Sequence, residues 1–194
     1  MPERANYRTR GLTAPFQTRE AEDGYHIEGY FAVFNSIYEI FPGATESIAP
    51  GAFSQTLGND IRALIDHETR LVLGRNKAGT LTLREDSRGL WGDIRINPND
   101  QDAMNLYERV RRGDVDQCSI GFNIVREDFE VREDGSVHWT ILEIDLHEVS
   151  VVTFPAYEDT SVSARKKDLE QIQKRKRELW QEDMRKRLKG ADTQ

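Results

Sequence analysis

Short runs of alternating apolar and polar residues, broken by Gly, Pro, Asn and Asp, fill the chain to about residue 162 and predict a β-rich α+β domain. The segment Tyr25 to Phe34 (YHIEGYFAVF) is aromatic and β-branched, and Pro42-Gly43 marks a loop beyond it. A short helix is expected over Gly51 to Leu57. Ile61 to Ile65 is an apolar run that ends at Asp66-His67; a polar Thr69-Arg70 turn and the run Leu71 to Leu73 follow.

Thr80 to Arg84 and Leu90 to Ile96 alternate on either side of Asp86-Ser87-Arg88-Gly89 and read as a hairpin. Pro98 stops the second strand. Asp100 then caps a helix whose apolar positions Ala103, Met104, Tyr107 and Val110 recur at helical spacing, with Arg111 and Arg112 in its last turn and Gly113 beyond. Cys118 to Val125, a hairpin around Glu133-Asp134-Gly135, and the long apolar segment Ile141 to Phe154, closed by Pro155, complete the domain.

From Arg165 to Lys189 the pattern changes. Lys, Arg, Glu and Gln dominate, and Leu169, Ile172, Trp180, Met184 and Leu188 form a stripe at helical spacing. An amphipathic helix is expected there; whether it is a solvated tail or docks on another chain stays open, because isolated helices are marginal without a partner surface. The division that follows is a domain over 1–162 and a helical tail over 163–194.

Composition sharpens this division. At 194 residues, 37% apolar and 31% charged, the chain supports one core and a polar appendage. The net charge of −7 conceals eleven Lys and Arg against six Asp and Glu in residues 165–194, so the tail carries +5 and the other 164 residues −12. Such an acidic body argues against direct nucleic-acid binding, which needs gathered basic residues to replace counterions. Cys118 is the sole cysteine, so no internal disulfide forms. No apolar run reaches the roughly 20 residues that span a bilayer, and the N-terminal MPERANYRTR lacks a signal-peptide core, so a cytosolic protein without a membrane partner is expected.

Four histidines, His26, His67, His138 and His147, are the candidate general bases. None belongs to an HExxH pair and no second cysteine exists, so no metal or other cofactor is expected. His67 ends an apolar strand, where a side chain is delivered to the edge of a cleft. Alone it would be an ordinary surface residue.

Ser119 supplies a partner. In an extended strand Cys118, Ile120, Phe122 and Ile124 point one way and Ser119, Gly121 and Asn123 the other. The apolar set belongs in the core and takes the Cys118 thiol with it, where a thiol is inert. The small polar set is expected to face open space, with Gly121 leaving room for a peptide backbone. Most serines in such a place are merely solvated. A third group that orients the histidine should be a carboxylate or imidazole, and Leu146-His147-Glu148-Val149 offers both. Their opposite facing makes them alternatives, and a carboxylate in so apolar a run must be paired, with His67 or with an arginine.

Several segments resemble one family. GYFAVFNS (29–36), ESIAPGAF (46–53), IRALIDHETRLVLGR (61–75), GTLTLRED (79–86), LYERVRRGDVDQCSIGF (106–122) and LHEVSVVTFPAYEDTSV (146–162) are similar, in order and spacing, to the prohead maturation proteases of tailed bacteriophages. That family in turn resembles herpesvirus assemblin. The resemblance implies an antiparallel β-barrel flanked by helices, with His67 as base, Ser119 of the S-x-G-F motif as nucleophile, and Glu148 of EVSVV as third member, His147 being the alternative one residue away. Relatives often carry Asn where Asp66 stands.

What the resemblance implies for function is a serine endopeptidase that works inside the immature capsid, in the host cytoplasm, on the major capsid protein and its scaffolding segment. Self-cleavage of the basic tail belongs to the same expectation, and whether the chain forms a homo-oligomer stays open. Backbone amides near Gly121 are the expected oxyanion donors, each worth on the order of 3 kcal/mol in comparable sites. The competing class is an inactive assembly factor of the same fold; an esterase is disfavoured by the lack of a G-x-S-x-G elbow.

Overall fold

The computed structural model describes residues 7–13, 16–154 and 159–191. Contacts divide the chain into two compact units, residues 1–158 and 159–194. Pro155, the expected stop of the last strand, lies outside the described residues.

The first unit is β-rich with one α-helix. Its strands are β1 (Tyr7–Thr13), β2 (Gln17–Ala21), β3 (Gly24–Val33), β4 (Tyr38–Phe41), β5 (Ala44–Ile48), β6 (Arg62–Ile65), β7 (Glu68–Arg75), β8 (Leu81–Glu85), β9 (Gly89–Ile96), β10 (Gln117–Val131) and β11 (Val137–Val152). A helix, α1 (Gln101–Arg112), sits between β9 and β10. One sheet runs β1-β10-β11-β5-β4, with β6 pairing β11 and β7 pairing β6; the other runs β2-β3-β9-β8. The strands thus form two sheets, and no closed barrel is found among the described residues. Nor is the pairing wholly antiparallel, because β11 runs parallel to β6 at one end and to β5 at the other.

Between the sheets lies a core to which β3 gives Ile27 and Phe31, β9 gives Leu90 and Ile94, β10 gives Ile120 and Phe122, and α1 gives Leu106 and Val110. The helix forms where its caps dictate. The Asp100 side chain accepts from the amides of Asp102 and Ala103, and Gly113 takes the left-handed conformation at φ 80° while its N–H closes on Arg109 and Val110. The hairpin β8–β9 also forms as expected, its turn held by Asp86 Oδ1 accepting from the amides of Arg88 and Gly89.

Two local expectations fail for identifiable reasons. Residues 51–58 make turns instead of a helix: their amides bond three residues back (Ser54 to Gly51, Thr56 to Phe53), and Gly51 sits at φ 89°. Strands β10 and β11 run past the expected ends, because ladder hydrogen bonds continue through polar residues beyond the core, leaving Phe129 half exposed. The second unit is a single helix, α2 (Asp159–Ala191). Leu179 and Trp180 are exposed on it; the Leu188 side chain lies outside the described residues.

Candidate active site

His67 is placed by a turn whose geometry the sequence did not announce. Ile65 pairs with Glu68, so β6 and β7 are joined by the two residues Asp66 and His67 alone, both at positive φ, 47° and 60°. Two-residue hairpins favour that conformation because it matches strand twist, yet Asn-Gly usually supplies it. In this turn non-glycine residues do, at a cost of about 1–3 kcal/mol each. Three contacts to β11 and its end hold the turn. The Asp66 amide donates to Val151 O (3.1 Å), the Thr153 amide to Asp66 Oδ1 (2.8 Å), and the His67 amide to Ser150 Oγ (3.3 Å). The expected Thr69-Arg70 turn is absent, because β7 begins at Glu68.

β11 runs parallel beside β6, and this pairing brings Glu148 to the histidine. His67 Nδ1 lies 2.6 Å from Glu148 Oε1, with the two side chains 17% and 7% exposed. The same oxygen accepts from the Tyr7 hydroxyl at 2.9 Å, and Oε2 accepts from Ser150 Oγ at 2.6 Å. The carboxylate is therefore enclosed by three donors, which is the condition under which a charge survives burial. No arginine pairs with it among the described residues. His147 takes a different course. The ladder skips a residue between Gly121–Glu148 and Phe122–Leu146, so His147 is the extra residue of a bulge. It stacks on the Tyr7 ring (centroids 6.0 Å) and faces Asp145 at 3.8 Å.

Ser119 occupies the strand next to this cluster. It pairs with Ser150 on β11 and with Gly11 on β1, so its side chain shares a sheet face with Ser150. It is fully buried, and its hydroxyl makes no hydrogen bond in the structure, to His67 or to any other described residue. The expected open face is thus closed at Ser119. Gly121 likewise leaves no room for a peptide: a Cβ there would overlap the Tyr7 hydroxyl and Glu148 Oε1. Its amide lies within a ladder instead of at a free edge.

Cys118 points into the core. Burial pushes its thiol pKa up to about 12, and Sγ donates toward backbone carbonyls of Tyr30 (3.3 Å) and Leu12 (3.5 Å). His26 is held between Asp93 (2.8 Å) and Asp23 (3.2 Å), and His138 between Thr45 (2.8 Å) and Ser47 (2.9 Å). Sequence reasoning missed Tyr7 and Ser150. Period two on β11 puts Ser150 on the face of Glu148, a usable signal; Tyr7 offered none.

A family model described as caudovirus prohead serine protease matches residues 14–175. The prohead protease of Enterobacteria phage HK97 is 32% identical over 144 residues, which are 72% of this chain and 60% of that protein, so the chain spans under two thirds of that relative's length. Among solved structures, the capsid assembly protease of bacteriophage T4 aligns with a TM-score of 0.50 over 77% of this chain and 98% of that one, at 11% identity, a likeness of fold.

Proposed function

Because the chain belongs to the caudovirus prohead serine protease family, we propose that it is a serine endopeptidase of capsid maturation, with Ser119 as nucleophile, His67 as base and Glu148 as the acid that orients the base. The observation that carries this reading is the 2.6 Å contact of His67 Nδ1 with an enclosed Glu148 carboxylate, one strand from the family's serine.

Glu148 accepts a hydrogen bond from Nδ1–H, which leaves Nε2 as the basic nitrogen of the ring. The Ser119 hydroxyl gives its proton to Nε2 as Oγ attacks a peptide carbonyl. The imidazolium then protonates the leaving amine, and water hydrolyses the acyl-enzyme through the same base. Ser119 Oγ is without a hydrogen bond in this structure, and catalytic hydrogen bonds often tighten only when substrate is bound. The enclosed carboxylate stabilises the imidazolium in a site from which water is largely excluded.

By family analogy the substrates are the capsid protein and its scaffolding segment, and the place of action is the interior of the prohead in the infected host. The charge reversal at α2 supports a targeting role for residues 165–194, followed by their removal through self-cleavage. Purified wild-type chain and Ser119→Ala, each incubated with capsid precursor and read by mass spectrometry, test both statements. Wild type trims the precursor and its own C-terminus, and the variant does neither; precursor processing by Ser119→Ala refutes the nucleophile assignment.

A further inference from the structure

Ser150 holds the two halves of the acid–base pair at once. Its hydroxyl donates to Glu148 Oε2 at 2.6 Å and accepts from the His67 backbone amide at 3.3 Å. Both oxygens of the carboxylate are thereby fixed, one by Ser150 and the other by Tyr7 and the imidazole. At the same time the amide it receives belongs to a residue at φ 60°, in a two-residue turn that its own intrinsic preference disfavours.

We infer that Ser150 is a positioning residue, which ties the strained Asp66-His67 turn to the Glu148 carboxylate and so sets the angle at which the His67 ring meets Ser119. The inference rests on the catalytic reading of Ser119, His67 and Glu148. The chain of contacts runs from the His67 amide through the Ser150 hydroxyl to Glu148, which also accepts from Nδ1 of the His67 ring, a closed loop in which the amide polarises the hydroxyl toward the carboxylate. Ser150 is itself fully buried and directly opposite Ser119 in the ladder, so its hydroxyl makes no contact with solvent. Without its hydroxyl the carboxylate can rotate about its terminal torsion and the turn loses one of three anchors. The ring can then swing, and displacements of about 1 Å at a reacting group cost on the order of 100-fold in rate.

The test is labelling of the chain with a fluorophosphonate, which phosphonylates the serine with loss of fluoride, needs no known cleavage sequence, and separates the maximal rate kinact from the binding constant KI. In Ser150→Ala, kinact is expected to fall about 100-fold with KI within about twofold, and Ser150→Thr, which restores the hydroxyl, recovers to within about fivefold. Should Ser150→Ala not fold, Ser150→Cys serves in its place, being similar in shape and a weak donor, and the same loss of kinact is expected. A kinact within about threefold of wild type in Ser150→Ala or Ser150→Cys overturns the inference. Glu148→Gln, labelled in parallel, separates the two levels. If Glu148→Gln is slow and the Ser150 variants are not, only the role of Ser150 falls; if Glu148→Gln labels at the wild-type rate, the acid assignment falls and Ser150 with it.

Discussion

Gly121 and Glu148 face one another across the β10–β11 ladder, and the missing Cβ of the glycine is the space that the glutamate carboxylate fills. The contact explains how a charge is accommodated on an otherwise apolar strand. It also sets the glycine of the S-x-G-F motif against the Glu148 carboxylate and the Tyr7 hydroxyl instead of on an open face.

Replacing Gly121 by Ala therefore acts first on Tyr7 and Glu148. The atoms a methyl would meet, the Tyr7 hydroxyl and Glu148 Oε1, are the ends of flexible side chains that can move aside. The fold survives with a loss of about 1–3 kcal/mol, as for modest overpacking. Fluorophosphonate labelling falls about 100-fold, because the displaced carboxylate no longer meets Nδ1. Denaturant melts and labelling rates read the two effects separately, and labelling at the wild-type rate would contradict the support of Glu148 by Gly121.

Cys118 is adjacent to Ser119 in sequence and points to the opposite face of the strand. With its pKa pushed up to about 12 by burial, the thiol carries almost no thiolate near neutral pH. Iodoacetamide is expected to leave Cys118 unmodified and labelling of Ser119 unchanged in the native protein, and to alkylate it fully in denaturant. Rapid alkylation of the folded chain would show that the thiol faces a cleft.

His138 makes stability depend on pH in a definite direction. Burial between Thr45 and Ser47, with the Arg132 charge adding to it, holds its imidazole pKa below the ordinary value. The unfolded chain consequently binds this proton at a higher pH than the folded one. The contribution is fully present above the ordinary imidazole value of about 6.5 and declines as pH falls through it toward the depressed folded value. Denaturant unfolding between about pH 7 and pH 5 should show a shallower loss in His138→Gln than in wild type. Equal slopes would show that His138 is not the group responsible.

The sequence by itself determined several features that depend on neighbours along the chain, though not the turns at 51–58 and at Asp66-His67. Asp100 and Gly113 carry the ends of α1 because capping is satisfied within four residues, and Asp86 to Gly89 carry a hairpin because a turn is local. Alternation alone turned Cys118 inward, and the motif around Ser119 led to the family. What depends on pairing across long separations was decided by tertiary structure. The parallel alignment of β6 with β11 brings Glu148 against His67, 81 residues away, while its neighbour His147 is turned by a bulge toward Tyr7. Tyr7 reaches Glu148 from 141 residues away, and among the described residues the strands form two sheets in place of the expected barrel, with β11 taking parallel partners at both its ends. Register between distant strands leaves no mark in local periodicity, since any slip by two residues preserves the same alternation while changing which side chains meet.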